Sequence, residues 1–185
     1  QRHAIQERLP ERSDGQGEAW RAIHHEQAAL TTWLSQLSGH EISAAVRLGT
    51  DYAITNGPYA VWAGLCERGL SGTEDGQERS GLLWTLCNVL LRAGQISVAE
   101  RRAREKASLD AADGRQRNAA LALGVLADIY QARGELDEAL RIRREEELPV
   151  YEKLGAIRER AVTMGQIADI YEARGQLDEA LRIRK

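Results

Sequence analysis

Apolar residues recur at steps of three and four along most of the chain, the spacing of amphipathic helices. Leu123, Leu126, Ala127 and Tyr130 form one such stripe. Gly134 interrupts it, and Leu136, Ala139, Leu140 and Ile142 begin the next. Glycine is the favoured left-handed residue just past a helix end. Arg133 places a cation at the negative end of the first helix dipole, and Asp137 and Glu138 place anions in the first turn of the second. Every device returns downstream: Ile167, Ala168 and Tyr171, then Arg174-Gly175, then Leu177, Asp178, Glu179, Ala180 and Leu181. Ala127–Arg143 (ADIYQARGELDEALRIR) and Ala168–Arg184 (ADIYEARGQLDEALRIR) agree at 15 of 17 positions and lie 41 residues apart. A fixed period of this size predicts stacked helical hairpins. A weaker copy lies upstream, with Leu83, Leu86, Cys87 and Leu90, the stop Arg92-Ala93-Gly94, and the restart Ile96 and Ala99.

Earlier segments are less regular. Residues 1–9 suggest a short terminal helix, and PERSDGQG at 10–17 a linker. Glu18–Leu37 predicts a helix through Trp20, Ile23, Ala28, Leu30, Leu34 and Leu37. Glu41–Thr55 predicts another, with Ile42, Ala45, Val46, Leu48 and Tyr52 apolar. Asn56-Gly57-Pro58 reads as a turn, and Tyr59–Leu70 as a helix carrying Val61, Trp62, Leu65 and Cys66. Trp62 falls where the repeats carry a small residue, so this pair reads as a divergent or capping unit. Ser71–Ser80 reads as a polar loop whose last residues start the next helix. The expected layout is thus a terminal segment over 1–17, divergent hairpins over 18–70, and repeats over 71–185. The repeats divide at about 81–113, 114–154 and 155–185. Pro149 predicts a kink or break in a long second helix.

The order Leu123-x2-Leu126-Ala127-x2-Tyr130, then Gly134, then Ala139, resembles the tetratricopeptide repeat family. Three departures stand out. No Trp opens the first helix, Arg143 replaces an expected aromatic, and the period exceeds the usual one of about 34 residues. The longer period is similar to the subgroup found in kinesin light chains and bacterial regulatory proteins. The resemblance implies an all-α, right-handed superhelix of antiparallel hairpins that binds proteins or peptides. The first half, with Glu26-Gln27-Ala28-Ala29-Leu30, Trp33-Leu34 and Trp62, is similar to the sensor region of bacterial STAND-type signal-transduction ATPases. That likeness implies a sensor or interaction array of a larger regulatory protein. A free-standing adaptor, or an array fused to an effector enzyme such as a protease, is the alternative. The chain starts at Gln1 and stops at Lys185 within an expected helix, which reads as part of a longer protein.

Composition narrows the chemistry. The net charge is −3 with 29% charged residues, unlike the strongly basic balance of a dedicated nucleic-acid binder. No run of about 18 apolar residues predicts a membrane span. Cys66 and Cys87 lack CxxC spacing and read as reduced, packed thiols of a cytoplasmic protein. Gly15-x-Gly17 lacks the rest of a phosphate loop, and His24-His25-Glu26 lacks the one-turn spacing of HExxH. No cofactor, metal or catalytic residue is expected.

The family resemblance lets a concave face be numbered on the first helix of each unit. It comprises Trp84, Asn88 and Arg92, then Gly124, Asp128 and Gln131, then Gly165, Asp169 and Glu172. Asp128, Asp169 and Glu172 make the far end acidic, which suits a partner with a basic segment; pairing with neighbouring arginines is the other reading. Gly124 and Gly165 leave room for a ligand or for a closely packed helix. The strings 101–106 and 141–147, rich in Arg, Lys and Glu, read as a solvated outer face.

Overall fold

A computed structural model describes residues 36–184. The expected terminal helix, linker and His24-His25-Glu26 lie outside the described residues, which take in only Gln36 and Leu37 of the helix expected over 18–37. The elements are α1 (Gly39–Asn56), α2 (Tyr59–Gly72), α3 (Gly76–Arg92), α4 (Ile96–Ala112) and α5 (Gln116–Ala132). Next come α6 (Leu136–Arg141), a π-helical segment (Ile142–Glu147) and α7 (Leu148–Leu154), which form one continuous rod. Then α8 (Ile157–Ala173) and α9 (Leu177–Ile183) follow. Consecutive rods pack on each other as an α-α solenoid, with no strand among the described residues.

The turns are built as the glycines predict. Gly94, Gly134 and Gly175 have φ of 73°, 78° and 74°. At each, the next residue's N–H reaches back five positions: Gln95 to Leu90 O, Glu135 to Tyr130 O and Gln176 to Tyr171 O, all at 2.9 Å. These bonds satisfy carbonyls that the helix end would otherwise leave open. The second helices stop the same way at Gly114 and Gly155, with Arg115 N–H on Asp110 O at 2.7 Å and Ala156 N–H on Tyr151 O at 2.9 Å. The sequence expectation covered only the first-helix stops. The expected loop over 71–80 is shorter than expected: α2 runs to Gly72, and Asp75 caps α3 by accepting from Glu78 N–H at 2.8 Å.

These stops locate the residue that lengthens the period. Gly114 to Gly134 and Gly155 to Gly175 are both 20 positions, so the first helices match. Gly94 to Gly114 is 20 but Gly134 to Gly155 is 21, so the extra residue lies in the second helix. The backbone absorbs it in the π segment Ile142–Glu147. Pro149 follows at once. It offers no N–H to the Glu145 carbonyl, and its ring would strike that carbonyl in a regular α-helix. A wider π turn accommodates both. The break expected at Pro149 therefore takes the form of a π segment immediately before it.

Small residues set the spacing between helices. Ala127, Ala139 and Ala168 are wholly buried, as is Ala99, and Cys87 and Ala180 nearly so. Ala139 packs with Leu126, Tyr130 and Ile142 in one cluster. Ala139→Trp will push this hairpin apart and cost about 1–3 kcal/mol. Thermal denaturation checks this, and an unchanged midpoint contradicts it. The first hairpin reverses the arrangement. Trp62, at the small position, is 1% exposed, and α1 makes room with Gly49. A Cβ on Gly49 would stand 2.2 Å from Trp62 Cη2.

The expectation of a solvated outer face needs correction. Lys106, Arg143 and Glu147 are buried, because their helix positions face the neighbouring first helices. Lys106 bonds Ser80 and Asp110, while Arg143 bonds Glu147 and Asp128.

Candidate functional site

Three first helices, α3, α5 and α8, border a groove of about 370 Å³, floored by the π segment and α7. Its walls include Trp84, Leu121, Val125 and Val162, and its floor Arg143 and Glu147. Each wall residue is placed by repeat phase. Arg117, Leu121, Gly124 and Asp128 occupy steps of four, three and four on α5, one helix face. Arg158, Val162, Gly165 and Asp169 stand at the same phase on α8, 41 positions on. Stacking sets Arg117 and Arg158, then Leu121 and Val162, across the groove from each other, while Gly165 and Asp169 lie outside its lining. The aliphatic row is open to solvent, with Leu121 39% and Val162 55% exposed.

Of the seven side chains numbered from sequence, Trp84 and Asp128 line this groove. Trp84 also lies under the Lys106 ammonium, 6.0 Å from the ring centroid. Asn88 turns back on its own helix, donating to Trp84 O at 2.8 Å. Arg92 is exposed at the end of α3, and Gln131 is half-buried on the last turn of α5. Asp169 and Glu172 lie on α8 outside the groove lining. Arg117, Leu121, Arg158 and Val162 were missed, although their 41-residue phase is readable in the sequence. The alternation of Arg, aliphatic, Gly and Asp becomes visible only once both helices are laid side by side.

The carboxylates are matched. Arg143 Nη2 donates to Asp128. At the equivalent place Arg184 Nη2 donates to Asp169 at 2.6 Å, and its Nη1 lies 2.7 Å from Glu172. Of the two readings of these acids, the structure places them in pairing with arginine. Gly124 is likewise filled from within: a Cβ there would stand 3.0 Å from Glu147 Oε1. Gly165 faces open space.

Burial drives Glu147 above the ordinary carboxylate range, against the pull of Arg143 and Thr163. Cys66 and Cys87 are buried and unpaired, and burial pushes both thiols up to about 12. Neither supplies a thiolate near neutrality. Among the described residues no three His, Cys, Asp or Glu side chains gather as a metal site, and no helix is long and apolar enough to cross a membrane.

Comparison with known proteins agrees with this geometry. The family model for the tetratricopeptide repeat matches residues 122–147, which run from α5 through the π segment. The fold resembles the crystal structure of BtubC (BKLC) from P. vanneervenii, with a TM-score of 0.62 and 16% identity. The alignment covers 91% of this chain and 66% of that one, just under two thirds of its length. No curated protein matches the sequence. Phased hairpins and buried small residues at Ala127 and Ala139 accompany the match across α5 and α6, so the chain carries a tetratricopeptide repeat at residues 122–147 within an α-α solenoid.

Proposed function

We propose that this chain is a non-catalytic scaffold that holds a segment of another protein in the groove between α3, α5 and α8. The observation that carries this reading is the aliphatic row. Leu121 and Val162 recur at one phase, remain exposed, and flank a groove with Trp84 on its third side. Exposed apolar surface rimmed by charge is characteristic of interaction sites. Asp128, Asp169 and Glu172 already have arginine partners, so apolar side chains of the partner, rather than basic ones, carry the contact. Panning a displayed peptide library on the wild-type chain tests this. Selected peptides should lose at least about tenfold in affinity on a Leu121→Asp/Val162→Asp double variant, a loss of about 1.4 kcal/mol. Helical circular dichroism should stay unchanged. Equal binding to both proteins would remove the groove from the proposal.

The sensor-array reading places the same scaffold in a larger bacterial regulatory ATPase acting in the cytoplasm. It draws on the divergent first hairpin, where Trp62 and Gly49 replace the regular small-residue contact before the repeats begin. An upstream Walker motif in the full coding sequence supports it, and a coding sequence without one counts against it.

A further inference from the structure

Charges around the groove cancel in sum but not in use. Arg117, Arg143 and Arg158 line it, and so do Asp128, Glu147 and Glu159. Arg143 donates to both Asp128 and Glu147, and Arg117 pairs with Glu159. Every lining carboxylate is thereby engaged. Arg158 is exposed and makes no ion pair or hydrogen bond among the described residues. Because one arginine serves two carboxylates, one guanidinium is left over.

Arg158 also begins a row. Arg158, Val162 and Gln166 stand four apart on one face of α8, and all three line the groove. The matching positions on α5, each 41 earlier, are Arg117, Leu121 and Val125. The two rows differ in kind. On α5 the arginine is taken and the row ends in valine; on α8 the arginine is open and the row ends in an amide. Gln166 is half-buried and, like Arg158, makes no hydrogen bond among the described residues. A side-chain amide with donor and acceptor both open suits a peptide main chain whose own N–H and C=O are not bonded internally. An extended segment meets that condition and a helix does not. The spacing agrees. Four residues of helix advance about 6 Å. Two residues of extended chain advance about 6.6 Å and point their side chains the same way.

We propose that the groove takes an extended partner segment carrying an Asp or Glu two positions from a large apolar residue. The carboxylate sits on Arg158, the apolar side chain between Leu121 and Val162, and the main chain on Gln166. The segment's charge and spacing rest on the reading that this groove is the binding site. A guanidinium and a carboxylate match in shape and form paired charge-assisted hydrogen bonds, so an acid is selected over a merely polar side chain. A basic segment finds no uncommitted carboxylate in the lining and is repelled by Arg158.

Panning a fully randomised displayed peptide library on the whole chain tests this. Selected sequences should be enriched in Asp or Glu two positions from Leu, Ile, Phe or Trp. The tightest peptide, its acid-to-amide form and its acid-to-lysine form are then titrated against wild type, Arg158→Gln and Arg158→Glu. Arg158→Gln should weaken the acidic peptide about two- to fivefold, the worth of an exposed charge pair, and leave the amide form unchanged. Arg158→Glu should weaken the acidic peptide about tenfold or more through like-charge repulsion. It should also bind the lysine form better than wild type does, an exchange that a damaged fold cannot produce. Three results overturn the inference while leaving the groove in place, given binders that weaken on Leu121→Asp/Val162→Asp. These are binders indifferent to Arg158, binders that are basic, and binders whose acid and apolar residues stand four apart, as in a helix. No binder at all, or equal binding to the Leu121→Asp/Val162→Asp variant, removes the groove and this inference with it.

Discussion

Asp110→Ala will destabilise the protein by about 3–5 kcal/mol, the range for stranding a buried charge. Asp110 has no exposed surface, and Lys106 is 4% exposed. Its Oδ2 takes Ser80 Oγ at 3.1 Å and the Lys106 ammonium, and its Oδ1 takes Arg115 Nε at 2.7 Å. Burial works against the ionised carboxyl, but hydrogen bonds from Lys106, Arg115 and Ser80 outweigh it and hold Asp110 below its usual range. Alanine leaves the ammonium without its anion beside the apolar face of α3. Arg115 also holds Gly76 O at 2.9 Å, so the start of α3 loosens with it. Removing both charges tests the cause. Lys106→Met/Asp110→Leu should recover most of the loss, because a buried ion pair replaced by apolar groups is often neutral. Urea denaturation of the three proteins decides; equal losses in the single and double variants would show that shape, not charge, matters there.

Gly49→Ala will also destabilise the chain, although alanine is the better helix former by about 1 kcal/mol. The added Cβ would meet Trp62 Cη2 at 2.2 Å and Cζ3 at 2.9 Å. These atoms belong to a rigid ring, buried in the cluster with Leu65, Leu82 and Leu86, that cannot turn aside. Overpacking of this kind costs about 1–3 kcal/mol. The converse, Trp62→Ala, empties the same space and should cost about 3–5 kcal/mol. Thermal melts check both. If the helix preference won instead, Gly49→Ala would melt higher than wild type, and the Trp62–Gly49 contact would not be a tight one. Gly49→Ala combined with Trp62→Ala should cost less than the two losses added, since the second change removes the clash of the first.

The legible parts of the fold are the local ones. A left-handed glycine after each first helix acts within one turn of chain, and at Gly134 and Gly175 an arginine precedes it and anions follow, so Gly94, Gly134 and Gly175 could be placed by reading alone. The 41-residue phase set the stacking of α5 on α8 and hence the face bearing Asp128 and Asp169. The groove was legible only in part. Leu121 and Val162 look like ordinary helix residues until two first helices are set side by side and their common phase leaves them uncovered.

By itself the sequence determined the hairpins, their period and the small residues at their contacts, because each depends on propensity and spacing a few residues apart. The tertiary structure alone decided which charges are inside. In Arg141-Ile142-Arg143-Arg144-Glu145-Glu146-Glu147, only Arg143 and Glu147 among the charged residues are buried. The choice follows from a π turn that rotates the later residues relative to an α-helix, and from Gly124 and Thr163 on two other helices. A string of like side chains carries no mark of which member meets a neighbour. Burial of a charge depends on partners brought from elsewhere in the chain, and no local pattern encodes them.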